Sequence, residues 1–276
     1  MMESKAQIDK YIFRYCLEGH SDDPAILFLH GFMGDRLEFK QAMVVLSKQF
    51  YCVAIDLLDH GQTETMFQGT YQKDHSYTIQ SLANCVIEFL DLLRIERCFL
   101  VGYSMGGRLA LYLTIHFPQY FHRVVLESAS AGLRSDAERS DRLAKDAQLA
   151  QKLEAGNLRL FLENWYQQSI FANLRSHPDF SQLLAQRLNN SPLKLANTLR
   201  NLSLGKQPSL WERLATNEIP LLLLVGELDH KFVQINQQML NLCKLAQLNI
   251  APKCGHNIHF ENPDLFIQII KYFFCS

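Results

Sequence analysis

The five residues 102–106, Gly-Tyr-Ser-Met-Gly, constrain the fold of this chain more than any other segment. They follow a short apolar run, residues 98–101, and precede a helical pattern, so the chain must turn sharply from strand to helix at Ser104. A side chain at Gly102 or Gly106 would collide with the neighbouring element. The pattern predicts a turn that presents a reactive serine at the end of a strand, and a purely structural turn is the alternative.

Length and composition indicate one large domain, or one domain with an insertion. The chain has 276 residues, of which 48% are hydrophobic and 20% charged, and its formal net charge is −1. These values disfavour both a nucleic-acid-binding surface and a disordered chain. The longest apolar runs, such as residues 220–225, have the length of a strand, and the N-terminus carries no apolar signal region. We therefore expect a cytoplasmic protein that does not associate with a membrane.

The seven cysteines favour the same compartment. They never form Cys-x-x-Cys and lie mostly within apolar runs, which is typical of reduced thiols in the core of a cytosolic protein. His256 and His259 lack a third ligand at a suitable spacing, so we expect neither a metal site nor a cofactor.

Strands alternate with helices in the first half of the chain and again near its end. Tyr11, Phe13 and Tyr15 alternate with other residues, which predicts a half-exposed edge strand. Ser76 is expected to cap a helix that reaches Leu93. Such an alternation predicts a mostly parallel sheet with helices on both faces.

Residues 130–213 follow a different pattern. No run in this segment is typical of a strand, and its apolar residues recur at helical spacing. We therefore predict an α/β fold with a core formed by residues 1–129 and 214–276. An α-helical cap, residues 130–213, is inserted into that core.

A serine hydroxyl becomes reactive only when a neighbouring base takes its proton, so a histidine and a carboxylate are required. Asp229 follows a strand-like apolar run, at the end where the functional residues of open sheets collect. His256 lies in a later loop between a strand and a helix, and the order serine, acid, histidine fits this kind of fold. We predict that Asp229 orients His256, which exchanges a proton with Ser104. Glu227 and His230 are the alternatives for the acid and the base.

Negative charge that develops on an oxygen requires hydrogen-bond donors already in place. The N–H of Met105 begins a helix and has no partner within it. The second donor is expected from the loop after an earlier strand, and the N–H of Phe32 is the candidate. His30 is expected to support that loop, and His259 is interpreted as a surface residue.

Arg108 lies on the same helical face as Ser104, four residues later. Because helical side chains lean toward the N-terminus, its guanidinium can reach the space above the serine. A cation there has no obvious role toward a neutral ester. A buried ion pair with Asp56 or Glu127 is the alternative.

The distribution of charge points to an anionic ligand as well. The predicted cap contains 12 Lys and Arg against 8 Asp and Glu, a net of +4, which leaves 15 against 20, or −5, for the rest. A basic cap over an acidic body favours a small anionic substrate. For each single charge, a solvated helix face is the alternative.

Several segments besides Ser104, Asp229 and His256, the predicted catalytic triad, have an order and spacing that an ordinary esterase does not share. They are Gly102–Arg108, Glu127–Leu133, Glu138-Arg139 with Arg142 and Asp146, Trp165-Tyr166, Arg187 with Asn189-Asn190, and Gly226–Phe232. With these segments the chain resembles the 2-succinyl-6-hydroxy-2,4-cyclohexadiene-1-carboxylate synthases of menaquinone and phylloquinone biosynthesis, which have the α/β-hydrolase fold. The resemblance extends over residues 29–263. Two residues depart from it: Ala131 stands where the family usually has proline, and His230 stands where other residues are common.

The resemblance implies an elimination in which a cyclohexene ring that carries several carboxylates loses pyruvate. Ser104, with its proton drawn off by His256, would remove a ring proton as a general base, and no acyl-enzyme is required. The N–H groups of Phe32 and Met105 would stabilise charge on a carboxyl or carbonyl oxygen.

The resemblance also assigns substrate binding to six residues. Arg108, Arg142 and Arg187 would hold carboxylates, and Tyr103, Trp165 and Tyr166 would line the pocket. Packing within the cap is the alternative for Trp165 and Tyr166.

Two other functions fit the same scaffold. The first is a serine hydrolase of esters or carbon–carbon bonds, which would use the triad with water as co-substrate. The second is a non-catalytic ligand receptor, which would not require Ser104, Asp229 and His256 together. The sequence leaves open the oligomeric state and the choice between menaquinone and phylloquinone as end product.

Overall fold

A mixed β-sheet forms the centre of the molecule in the computed structural model, which describes residues 1–66 and 77–276. Its nine strands within these residues lie in the order β1-β2-β4-β3-β6-β7-β8-β9, and β5 pairs with β2. The pairs that involve β2 are antiparallel, and the others are parallel. The strands are β1 (Met2–Ile8), β2 (Tyr11–Glu18), β3 (Ala25–Leu29), β4 (Tyr51–Ile55), β5 (Glu64–Thr65), β6 (Cys98–Tyr103), β7 (Phe121–Glu127), β8 (Leu221–Gly226) and β9 (Ala246–Ala251).

The helices are distributed between the two faces of the sheet and a separate group. In chain order they are α1 (Lys40–Leu46), α2 (Ile79–Leu92), α3 (Met105–His116), α4 (Asp136–Ala155), α5 (Leu158–Trp165), α6 (Ala172–Arg175), α7 (Phe180–Arg187), α8 (Pro192–Asn201), α9 (His230–Leu242), α10 (Ile258–Glu261) and α11 (Pro263–Cys275). None of these helices, within the described ranges, is both long and apolar enough to span a membrane.

The apolar residues of the strands separate into two cores because successive side chains point to opposite faces. Leu27 and Leu29 of β3 belong to the core that also contains residues of α2, α3 and α9. Ile26 and Phe28 belong to the second core, which includes residues of α1 and α11. A parallel sheet covered on both faces was predicted, and the structure confirms it.

The helices α4 to α8 lie between β7 and β8 in the chain and share an apolar cluster of their own. Leu153 of α4, Leu162 of α5 and Leu195 of α8 are buried in it. Met33, from the loop after β3, is buried in the same cluster. This loop therefore packs against the helical segment, while the bounds 130–213 of the cap stay a prediction.

The structure corrects one sequence prediction and leaves another outside its range. Tyr11, Phe13 and Tyr15 are buried and the residues between them are half-buried, as the alternation predicts. The predicted edge position was wrong, because β2 lies between β1 and β4. The alternation of these residues distinguishes a buried face of β2 from a half-buried face. Helix α2 is capped by Thr78, whose side chain accepts a hydrogen bond from the N–H of Ser81. The predicted cap, Ser76, lies outside the described residues.

Candidate active site

The turn between β6 and α3 places Ser104 at the carboxyl end of a central strand. Its backbone has φ 49° and ψ −102°, a conformation that residues other than glycine rarely adopt. A Cβ at Gly102 would lie 2.5 Å from the carbonyl oxygen of Gly106, and one at Gly106 would lie 2.1 Å from that of Leu29. The Ser104 N–H donates to the carbonyl of Glu127 at 2.8 Å, which ties the turn to β7. The two glycines thus permit the close approach that the turn requires.

Ser104, His256 and Asp229 form a continuous hydrogen-bonded chain. The Nε2 of His256 lies 3.2 Å from the Oγ of Ser104, and its Nδ1 lies 2.6 Å from Oδ2 of Asp229. Both Asp229 and His256 are buried. The other carboxylate oxygen of Asp229 accepts from the N–H of Phe232 and caps α9, which holds the acid in place. This geometry lets His256 take the proton of Ser104 while Asp229 stabilises the imidazolium.

The two alternative residues do not join this arrangement. Glu227 is exposed, and its carboxylate accepts a hydrogen bond from the N–H of Lys253 at 2.9 Å. His230 is exposed at the first position of α9.

The predicted oxyanion donors lie beside the serine. Phe32 and Met105 line the same cavity as Ser104 and His256. Met105 is the first residue of α3, where a backbone N–H has no partner within the helix. His30 supports the loop of Phe32, because its Nε2 accepts from the N–H of Leu57 at 2.9 Å.

The cavity has a volume of about 460 Å³ and carries an excess of positive charge. Trp165 contributes to its wall and packs 5.3 Å from the Phe32 ring, centroid to centroid. The charged residues that line it are Arg108, Arg134, Arg142, Lys231, Glu138 and Asp146. Four cations against two carboxylates favour an anionic ligand.

Arg108 lacks the ion pair that the alternative interpretation required. Asp56 pairs with Arg36, and Glu127 pairs with His259. Among residues 1–66 and 77–276, no carboxylate lies within 4 Å of the Arg108 guanidinium, which donates instead to a backbone carbonyl and to Gln207. Burial lowers the pKa of Arg108 to about 10, and the positive charge of Arg142 acts in the same direction. A carboxylate in the cavity would compensate this charge.

Arg142 also faces the cavity, but it has a carboxylate partner. Its Nε lies 2.9 Å from both carboxylate oxygens of Asp146, one helical turn away. Asp146 is buried and also accepts from the hydroxyl of Ser203 at 2.7 Å. The remaining guanidinium nitrogens of Arg142 are therefore the ones available to a ligand.

Three of the expected substrate contacts lie outside the lining of the cavity. Tyr103 packs under Gly31, where a Cβ would lie 2.6 Å from its ring. Arg187 is buried, forms an ion pair with Glu38 and donates to the carbonyl of Met33. Tyr166 is buried with its ring against those of Phe171 and Phe180. Tyr103, Tyr166 and Arg187 thus pack behind the residues that line the cavity, and their expected contacts with substrate stay a prediction.

His259 is the second correction, because it is a core residue. Its Nδ1 lies 2.7 Å from a carboxylate oxygen of Glu127, and its Nε2 lies 3.7 Å from Glu38. Burial favours the neutral ring, but the carboxylates outweigh burial and raise the pKa of His259 to about 9. The surface interpretation was wrong, because two buried carboxylates stabilise the charged ring in the interior, where solvent would otherwise be required.

Sequence reasoning gave no role to three charged residues near the site. Glu38 carries a buried charge behind it, and Arg134 and Lys231 line the cavity. Glu127 was considered only as a partner of Arg108, and the structure pairs it with His259. Lys231 lies within the segment Gly226–Phe232 that was singled out, and Arg134 directly follows the segment Glu127–Leu133, but a single cation has no periodicity or spacing that identifies its role.

Comparison with known proteins shows similarity along nearly the whole chain. Residues 24–263 match the family described as the alpha/beta hydrolase fold. The 2-succinyl-6-hydroxy-2,4-cyclohexadiene-1-carboxylate synthase of Serratia proteamaculans is 35% identical over 263 residues, which cover 94% of this chain and 96% of that protein. The structure of MenH from S. aureus has a TM-score of 0.86 and 32% identity, and the match covers 94% of this chain and 97% of that one. The chloroplastic protein PHYLLO of Arabidopsis thaliana is 31% identical across 92% of this chain, which corresponds to 15% of PHYLLO.

Proposed function

Because this chain belongs to the α/β-hydrolase-fold family of 2-succinyl-6-hydroxy-2,4-cyclohexadiene-1-carboxylate synthases, we propose that it eliminates pyruvate from 2-succinyl-5-enolpyruvyl-6-hydroxy-3-cyclohexene-1-carboxylate. The observation that carries this proposal is a Ser-His-Asp triad in one cavity with Arg108, a cation without a carboxylate partner in the described chain. The reaction belongs to the biosynthesis of menaquinone and phylloquinone.

The substrate and the product differ at two ring carbons. The 3-cyclohexene becomes a 2,4-cyclohexadiene, so the ring loses a proton at C2 and the enolpyruvyl oxygen at C5. The electron pair of the C2–H bond forms the C2=C3 double bond, and the pair of the former C3=C4 double bond moves to C4=C5. The C5–O bond breaks and its electron pair leaves with pyruvate as the enolate, which then takes up a proton. Because C2 is adjacent to the succinyl carbonyl, negative charge develops on that oxygen as the proton leaves.

The site fits this sequence of steps. Ser104, after its proton passes to His256, can act as the base toward the C2 proton, and Asp229 stabilises the imidazolium. The N–H groups of Phe32 and Met105 would stabilise the charge on the succinyl oxygen. No covalent intermediate is needed, so the serine acts as a base rather than as a nucleophile.

The three carboxylates of the substrate require cations in the cavity. Arg108 and Arg142 are half-buried in its wall, and arginine binds a carboxylate through two parallel hydrogen bonds. Arg134 and Lys231 are exposed at the same cavity and can take a further carboxylate. The aromatic wall formed by Trp165 and Phe32 suits the ring.

The proposal is tested by mixing the purified protein with the enolpyruvyl cyclohexene and following pyruvate release with lactate dehydrogenase and NADH. We expect rapid release by the wild type and loss of release in Ser104→Ala. A parallel assay with 4-nitrophenyl acetate tests the serine hydrolase alternative. Turnover of the ester without pyruvate release would reject the lyase in favour of the hydrolase.

We also propose a cytoplasmic location. Six of the seven cysteines are buried with free thiols, and Cys275 is exposed. Burial raises the pKa of Cys16, Cys52 and Cys98 to about 12, which keeps these thiols protonated and unreactive. Such thiols fit a reducing compartment.

A further inference from the structure

The backbone N–H of Gly31, the residue before Phe32, is held by a buried carboxylate. The N–H of Gly31 donates to Oε2 of Glu38 at 3.2 Å. The Tyr103 ring packs against Gly31 so closely that a Cβ there would lie 2.6 Å from it. The Gly31 carbonyl, in the same peptide group as the Phe32 N–H, also accepts from the Nδ1 of His30 at 2.7 Å and from the N–H of Gly34 at 3.0 Å. Glu38 and the Tyr103 ring therefore add a buried charge and an aromatic contact to these local hydrogen bonds.

The residue that follows Phe32 is held from the helical segment. The carbonyl oxygen of Met33 accepts from Nη1 of Arg187 at 2.9 Å and from Nδ2 of Asn190 at 3.0 Å. Met33 has φ 68°, and its side chain is buried in the apolar cluster of α4 to α8. Two donors on one carbonyl stabilise a backbone conformation that is unfavourable for methionine.

An ion pair links the support of Gly31 to the support of Met33. Arg187, 6% exposed, forms an ion pair with Glu38, 3% exposed, and His259 lies on the other side of Glu38. Burial alone would raise the pKa of Glu38, but the positive charges of Arg187 and His259 hold it well below its usual range. The carboxylate that receives Gly31 is thus kept ionised by the same arginine that holds Met33.

We propose that Arg187 and Glu38 are positioning residues, which set the direction of the Phe32 N–H by fixing the residues on both sides of it. This inference rests on the proposed function, because it concerns the donor to the developing oxyanion. Arg187 does not hold a substrate carboxylate, since its charge is balanced by Glu38 and it lies outside the cavity lining. The helical segment thereby supplies one of the supports of the Phe32 donor, beside the local hydrogen bonds of its own loop.

A split between kcat and KM distinguishes positioning from substrate binding. We expect Arg187→Gln to lower kcat for pyruvate release by about 10- to 100-fold while KM changes less than about twofold. Arg108→Gln, which removes the same charge from the cavity wall, should raise KM at least about tenfold. Arg187→Lys keeps the charge and one donor, so it should recover part of the lost kcat.

Two further variants and a titration distinguish a loss of positioning from a loss of folded protein. Asn190→Ala removes one donor to Met33 without leaving a buried charge, and it should lower kcat several-fold. The double variant Glu38→Gln with Arg187→Gln removes both charges together, and it should retain the low kcat of Arg187→Gln. Calorimetric titration with the cyclohexadiene product gives the number of competent sites, to which every kcat is normalised.

The outcomes separate the two proposals. An active wild type whose Arg187→Gln variant shows a raised KM and an unchanged kcat would overturn the positioning role and restore the carboxylate contact. Unchanged normalised kcat in Arg187→Gln and Asn190→Ala would overturn it as well. Absence of pyruvate release from the wild type would reject the proposed function, and the positioning role with it.

Discussion

The two halves of the candidate oxyanion hole are held in different ways. On the Met105 side, the turn depends on two glycines: Gly102 lets β6 and α3 approach each other, and Gly106 lets α3 approach the end of β3. On the Phe32 side, the supports include an ion pair between Arg187 and Glu38, which are 149 positions apart. One half depends on glycines that are visible in the local sequence, and the other depends also on charged side chains that meet only after folding.

This difference predicts different responses to mutation. A change in the turn displaces the serine and the backbone of the central sheet together, so its effects should be large. A change in the distant supports should leave the serine in place and alter the alignment of one donor.

Asp229→Asn should lower kcat for pyruvate release by about 10³- to 10⁴-fold, because an amide beside Nδ1 favours the wrong histidine tautomer. The amide oxygen of the new side chain can still cap α9, so thermal unfolding should change little. Steady-state kinetics and calorimetry measure both quantities. Glu227→Gln is the matched control, because this exposed carboxylate lies two residues earlier and contacts only the Lys253 backbone among the described contacts. If Glu227→Gln loses a comparable part of kcat, Asp229 is not the acid that orients His256.

Gly106→Ala should lower the free energy of unfolding by about 3 kcal/mol, because the new methyl group must displace backbone rather than side chain. Its Cβ would meet the carbonyl oxygens of Leu29 and His30 at 2.1 and 2.5 Å. Urea unfolding of the wild type and the variant measures the difference. Gly255→Ala is the control, since its nearest contact is a side-chain oxygen of Glu261 at 3.1 Å rather than backbone at 2.1 Å. Equal losses in the two variants would contradict a special packing requirement at Gly106.

The same contrast explains which features could be predicted from the sequence. Ser104, Asp229 and His256 each lie where a strand ends, and strand ends follow from local apolar patterns. The parallel sheet and the helical character of α4 to α8 follow from the same patterns. His259 and Arg187 could not be interpreted in this way, because burial of a charged side chain depends on which distant carboxylates it meets.

The arginines illustrate the limit most directly. Arg108, Arg142 and Arg187 are equivalent as sequence letters, and all three were expected to bind carboxylates of the substrate. In the structure Arg108 has no carboxylate partner among the described residues, Arg142 shares Asp146, and Arg187 is neutralised by Glu38. Glu38 carries no pattern that identifies it as the partner, since it lies in a loop before α1 and meets Arg187 only after folding.

The smallest effect concerns pH and again separates the two halves. The folded state holds His259 protonated between Glu127 and Glu38, with Arg187 beyond, and its pKa is about 9 against an ordinary value of 6.5. A raised pKa in the folded state stabilises the protein fully below pH 6.5, and this contribution is lost as the pH rises through 9. The free energy of unfolding, measured with urea, should therefore fall by on the order of 1–3 kcal/mol between pH 6.5 and 9.5.

His259→Gln should be less stable at pH 6.5 and should lack this part of the decline, because glutamine cannot titrate. The Ser104 turn has no such group, so Gly106→Ala should retain the pH dependence of the wild type. If the wild type and His259→Gln decline in parallel, the ring is neutral in the folded protein. Arg187 alone would then balance the charge of Glu38, and the support of the Phe32 loop would not depend on a proton.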